Sequence, residues 1–391
     1  MAAGGTLYEE RRLPALDGLR GVAVLLVLWF HVWEISWLPA PLPQLQFLPE
    51  TGFVGVHLFF FLSGFVISYP FVRALAARTP LPAWSHFAWR RFIKIMPSYV
   101  LSIGVAYAIG YAYAQGSGPA WKAILTHMFF VHTWFNDTYG SINGVLWTLA
   151  VEVEFYLLFP LIWWCFARRP WLTGAAMIVT AMLWRLGLER CCYHSYFPSF
   201  SQNLPGYLDI FACGMLAAWV YCRYGARVTA SRYRVLAPLL FFGGIVAAVL
   251  LLQSLYAFRF ADQWANVWDA PRRELFGFSF SAIALGALWS TRSLQMLLAN
   301  RPLMFFGVIS YNLYLYHQML ARELLWNHIP PHTSSYHADP HWRLWFTVIA
   351  FAATIAQASV VTYLLERPLL KMSPPKRLGE LFRSWGNAAR P

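Results

Sequence analysis

The sequence predicts an all-α integral membrane protein of about ten transmembrane helices, with both termini in the cytoplasm. Three observations carry this prediction. Of 391 residues, 59% are hydrophobic and only 12% charged, where a soluble domain is about a quarter charged. Apolar runs of about 20 residues, the length that crosses a bilayer core, recur along the chain. Basic residues gather in alternate connections between those runs. A soluble fold would have to bury every such run as a core helix.

The runs fall at roughly 18–38, 52–73, 94–115, 144–167, 170–188, 205–223, 235–256, 275–291, 302–326 and 343–365. With the N-terminus inside, 22 of the 30 Lys and Arg residues lie on the inner side. The other eight, Arg185 and Arg273 among them, lie outside. The stretch "WKAILTHMFFVHTWF" (121–135) is apolar enough to be a further span. If it crossed, every later loop would change sides and the basic residues would split 15 to 15. The charge bias therefore predicts a hairpin or partial segment there. The expected division is one membrane domain, 1–370, followed by a short basic cytoplasmic tail, 371–391. No repeat, cleavable signal or appended soluble domain is expected.

A net charge of +13 spread over loops and tail fits topology rather than nucleic-acid binding. Cys165, Cys191, Cys192, Cys213 and Cys222 contain no CxxC pair, so neither a disulfide framework nor a metal site is expected. Aromatics are abundant, with 20 Trp, 20 Tyr and 31 Phe, and suit membrane interfaces and cavity walls.

Ionisable residues inside the spans hold the functional information, because burying them in lipid is unfavourable. Arg20 and His31 share the first span. Eleven helical residues rise about 16.5 Å and turn three full circles plus about 20°, so the two lie on one face. Arg20 alone would read as a snorkelling anchor and His31 as a packing residue. Their shared face weakens both explanations. Arg90, Arg91 and Lys94 lie within one turn at the inner edge of the third span, as ordinary positive-inside charge or as a phosphate site. Glu152 and Tyr156 share a face of the fourth span, and Glu154 points elsewhere. Counted from the outer ends of their spans, His31, His57, Glu152 and His317 lie about 10, 8, 12 and 13 Å deep. They are expected in one layer, with Glu34 one turn beyond His31 to orient it. Basic groups inside and acid–base groups in the outer half suggest a substrate with cytoplasmic phosphates and a reactive end within the membrane.

The motifs "ALDGLRGVAVLLVLWFH", "GVHLFFFLSGFVIS", "RRFIKIMPSY", "LWTLAVEVEFYLLFP", "SYNLYLYHQ" and "ERPLLK" occur in this order over nearly the whole chain. In them the chain resembles the acyltransferase-3 family of multi-pass membrane enzymes, which O-acylate carbohydrates and related hydroxyl compounds. The resemblance implies an acetyl-CoA or short-chain acyl-CoA donor bound from the cytoplasm, no metal, and a carbohydrate or glycosylated acceptor across the plasma (inner) membrane. It implies His31 as the catalytic histidine, Arg20 as its partner, Arg91 and Lys94 as the basic element beside Arg90, and Glu152 as the Glu of the family's WSLxxE-type motif. Trp147, Tyr156, Tyr311, His57 and His317 are then substrate-binding candidates. His57 stands where many members carry an acid, and Lys94 where they carry Arg. His31 acts as general base on the acceptor hydroxyl, oriented by Glu34 or Glu152; an acyl-His intermediate is the competing route. Oligomeric state is left open.

Two rivals have distinct signatures. A secondary transporter with a His/Glu proton relay calls for inverted repeats. A glycerolipid acyltransferase calls for a working H-x4-D pair, matched here only by His132 and Asp137. The "NDT" at 136–138 is a glycosylation pattern with meaning only in a eukaryotic secretory setting.

Overall fold

The computed structural model describes residues 13–115, 119–192, 202–230, 232–258, 268, 271–332 and 336–372. Arg11, Arg12, Arg259, the side chains of Cys191 and Cys192, and all but two residues of the expected tail lie outside them. Among the described residues there is no strand. The long helices are α1 (Pro14–Ser36), α2 (Gly55–Ala77), α3 (Trp84–Ala108), α5 (Trp147–Arg168), α6 (Pro170–Cys192), α7 (Leu208–Ala230), α8 (Leu236–Phe258), α9 (Arg273–Trp289), α10 (Arg301–Trp326) and α11 (Pro340–Val361), with the short α4 (Ala120–Met128) between α3 and α5. Helices close their backbone hydrogen bonds internally, the condition lipid imposes on a spanning segment.

Each expected run coincides with a helix, but seven segments are long and apolar enough to cross a membrane by those two measures alone. They are Pro14–Ser36, Gly52–Ala77, Gly144–Arg168, Pro170–Leu188, Leu204–Ala230, Leu236–Phe258 and Pro340–Leu370. Of the rest, α9 has only 17 residues. α10 carries Arg301, Asn312, His317, Gln318, Arg322 and Glu323. α3 begins ten residues before the expected boundary at 94, right after "PLPA". Arg90, Arg91 and Lys94 therefore lie within the helix rather than ahead of it, because Arg and Lys are good helix formers and do not end one.

The α4 segment is too short to cross a bilayer as a helix. A nine-residue helix is about 13.5 Å long against about 30 Å of hydrocarbon. It continues into 3-10 turns at His132–Trp134 and Gly144–Leu146.

Burial orders the bundle. In the Gly52–Ala77 segment 72% of the most apolar stretch is buried, against 22% in Pro170–Leu188, Leu236–Phe258 and Pro340–Leu370. The first is central and the last three offer apolar side chains outward, to lipid. The central helices meet at glycines. A Cβ on Gly307 would collide with the Asp17 carbonyl, one on Gly21 with that of Leu303, and one on Gly64 with that of Phe211. Dispersion between closely approaching backbones replaces the hydrophobic drive that lipid cannot supply. The α1–α10 seam sets the positions of Arg20 and His31 against α10.

Candidate functional site

A cavity of about 790 Å³, solvent at its open mouth included, lies between α1, α2, α3, α5 and α10. Its cations are Arg20, Arg91 and Lys94, its carboxylate is Glu152, and its wall includes Ser63, Tyr156, Tyr311 and Tyr314. Helical periodicity explains which residues face it. Val56, Phe59, Phe60, Ser63, Val66 and Ile67 form one stripe of α2, spaced by threes and fours. Arg91, Lys94 and Ile95 do the same on α3, and Thr148, Leu149, Glu152 and Tyr156 on α5.

Hydrogen bonds, ion pairs and ring contacts hold most of the polar groups in the cavity. Glu152 accepts from Ser63 Oγ at 2.5 Å and from the Tyr156 hydroxyl. The Arg91 guanidinium lies 5.8 Å from the Tyr156 ring centroid, within cation–π range. Its Nε is buried without a hydrogen-bond partner. Lys94 pairs with Glu366 and stands 5.1 Å from the ring centroid of Tyr311, whose hydroxyl donates to the Ile95 carbonyl at 2.8 Å. Arg20 lies 3.9 Å from Asp17.

His31 sits beyond the far wall. Its Nδ1 is 2.8 Å from Glu34 Oε2 and 3.4 Å from Gln318 Nε2, and its ring centroid is 4.9 Å from that of His317. A carboxylate on Nδ1 places that nitrogen's proton there and leaves the Nε2 lone pair for chemistry. His317 is fully buried, with Nδ1 2.7 Å from the Tyr314 carbonyl. Tyr314 lines the cavity, so this one turn of α10 separates the cations from His31.

Several expectations are corrected. Glu152 does not share a layer with His31: it lies among the cations and bonds Ser63 and Tyr156, which leaves Glu34 as the residue orienting His31. His57 is buried against Tyr207 and Phe276, at 5.8 and 6.0 Å between ring centroids. It follows Val56 by one residue, about 100° off the cavity stripe. Arg90 is likewise one residue off the α3 stripe and donates to the Leu370 carbonyl at 3.1 Å. Trp147 packs on Tyr207, centroids 5.5 Å apart, outside the cavity lining.

The sequence reading missed two groups. Glu366 and Asn312 support Lys94, although both lie inside motifs it quoted; an acid at the end of an apolar helix was the available signal. Arg185 and Arg273 are not loop charges. Arg185 binds Asp209 at 2.7 Å and Glu274 at 3.1 Å, and both arginines donate to the Gly206 carbonyl. This buried cluster joins α6, α7 and α9 beside His57.

The H-x4-D pair does not form. Asp137 is paired with Lys122, and that hydrogen bond holds its carboxyl below the usual range. His132 is buried and stacked on His127, centroids 3.8 Å apart and planes 6° apart. Neither of its ring nitrogens bonds Asp137. Among the described residues no three His, Cys, Asp or Glu side chains gather as a metal site.

A helical bundle with seven membrane-capable segments and an internal cationic cavity defines a multi-pass membrane protein. The family model described as "Acyltransferase domain" matches residues 13–363, and the chain belongs to that family. Among curated proteins it is 24% identical to the peptidoglycan O-acetyltransferase OatA of Listeria monocytogenes, over 94% of this chain and 57% of that protein. It is 23% identical to the O-acetyltransferase OatA of Staphylococcus aureus, over 97% of this chain and 61% of the relative. With the acyltransferase MdmB of Streptomyces mycarofaciens it shares 28% over half of each chain. The chain thus spans about three fifths or less of the length of these relatives. No solved structure matches.

Proposed function

We propose that the chain is a membrane O-acyltransferase that moves an acetyl or short acyl group from cytoplasmic acyl-CoA to a hydroxyl of a carbohydrate outside. The observation that carries this is the division of one face of α1. Arg20 opens into a cavity with two further cations, and His31, oriented by Glu34, stands just past its opposite wall. The donor's phosphates are held by Arg20, Arg91 and Lys94, as guanidinium and ammonium groups suit phosphate oxygens. The pantetheine arm runs along the apolar stripe of α2 toward Tyr314. His31 Nε2 takes the acceptor hydroxyl's proton as its oxygen attacks the thioester carbonyl. The carbon–sulfur bond then breaks and the proton passes to the departing thiolate. Glu152, Ser63 and Tyr156 act from within the cavity on the donor side.

The family and the relatives' names, which include a peptidoglycan O-acetyltransferase, support a carbohydrate acceptor. The reading places the chain in the plasma membrane, with ten crossings and cytoplasmic ends. The test is purified protein with labelled acetyl-CoA and a panel of acceptors including peptidoglycan fragments. Label in an acceptor, lost in His31→Ala, is the expected result. Passage of a sugar across vesicles without acyl-CoA turnover would instead establish the transporter.

A further inference from the structure

The last described turns fold back onto the basic helix. After α11 the chain widens into one π turn, Thr362–Glu366, followed by Arg367–Leu370. Such turns occur disproportionately at functional sites. Three contacts tie this segment to α3. Glu366 pairs with Lys94, Arg90 Nη1 donates to the Leu370 carbonyl at 3.1 Å, and Trp89 Nε1 donates to the Met372 carbonyl at 3.2 Å.

Glu366 is the centre of the clasp. It is only 3% exposed. One carboxylate oxygen takes the Lys94 ammonium, and the other accepts from Asn312 Nδ2 at 2.7 Å. Asn312 also donates to Thr362 Oγ1 at 2.9 Å. The carboxylate is thus fixed from both sides by α10 and the π turn. Lys94 is different: a third exposed, it reaches the cavity wall beside Arg20 and Arg91. A lysine is a point charge on a flexible stem, and two like charges nearby drive it away. A fixed carboxylate is what keeps the ammonium at that wall.

We propose that Glu366 is a positioning residue of the donor site, holding the Lys94 ammonium where the donor's phosphates bind. The proposal rests on the reading of the cavity as that site. A purely structural Glu366 would affect stability alone, so the test reads ligand affinity separately from folding. Labelled acetyl-CoA is titrated against the full chain in detergent, beside a thermal melt of each variant. Glu366→Gln weakens binding about tenfold and Glu366→Asp, with a shorter reach, about threefold. Lys94→Met weakens it about tenfold or more, and the Lys94→Met/Glu366→Gln double variant matches Lys94→Met, because Glu366 acts through Lys94. Should Glu366→Gln not fold, Glu366→Asp and the double variant, which loses both charges together, still decide. Wild-type affinity in the Glu366 variants beside a weakened Lys94→Met overturns the proposal, as does a double variant weakened by the product of the single effects. Wild-type affinity in Lys94→Met overturns the donor-site reading with it.

Discussion

Replacing Glu34 by Gln removes a charge while keeping a side chain of the same size beside His31. In the proposed reaction the imidazole becomes an imidazolium as the acceptor's proton moves, and a carboxylate 2.8 Å away on Nδ1 stabilises that charge. Two unit charges at about 4 Å interact by about 1 kcal/mol in water and about 4 kcal/mol at an effective dielectric of 20. The Glu34 side chain is 40% exposed, so solvent screening puts the contribution in the lower half, about 1–2 kcal/mol. That corresponds to roughly a 5- to 30-fold fall in kcat. Because Gln accepts at Nδ1 through its carbonyl, the tautomer survives and the KM for the donor is unchanged. The assay is initial-rate acetyl transfer in detergent, with His31→Ala as the reference for loss of the base, about 10²- to 10⁴-fold. Full activity in Glu34→Gln would refute the argument. A loss as large as that of His31→Ala would refute its electrostatic form and make Glu34 indispensable to geometry.

Three other outcomes are expected. Asp137→Asn leaves transfer within about twofold, because Asp137 is bound to Lys122 and not to His132; lost activity would revive the H-x4-D mechanism. Burial pushes the His127 imidazole down to about 4 from its ordinary 6.5. The unfolded chain therefore binds a proton between those values that the native α4 segment does not. The stability involved is complete above about pH 6.5 and lost as pH falls toward 4, up to about 3 kcal/mol. Hydrogen-exchange protection factors of residues 120–146, rates corrected for the intrinsic pH dependence of amide exchange, should fall over that window in the wild type and far less in His127→Gln. Gly307→Val places a side chain against the Asp17 carbonyl and should cost about 1–3 kcal/mol, read as a lowered melting temperature in detergent.

Helix positions were legible in the sequence because lipid demands long apolar runs. The pairing of Arg20 with His31 was legible because a single helix carries both. Depth estimates failed for His57 and Glu152 because depth is one coordinate, and the side of the helix facing the cavity is another. The stripes supply it: Val56, Phe60 and Ser63 define a face of α2 that His57 misses by one residue, and Arg90 misses the α3 face in the same way. Partners distant in the chain were not legible at all. Nothing local to "RRFIKIM" announces Glu366, and nothing in α6 announces that Arg185 meets Asp209 and Glu274.

The seam between α1 and α10 also carries an arithmetic condition. Gly21 and Gly307 lie at one level, and His31 and His317, each ten residues on, meet again at another. The two helices therefore point the same way. In a bilayer direction alternates with each crossing, so two spans of equal direction have an odd number of crossings between them. Among the described residues seven long helices lie between α1 and α10, and α4 would make eight. On the proposed reading, in which every long helix crosses, the brevity of α4 is thus a matter of parity: lengthening that segment into a full crossing would set α10 upside down and leave His31 without the helix it faces.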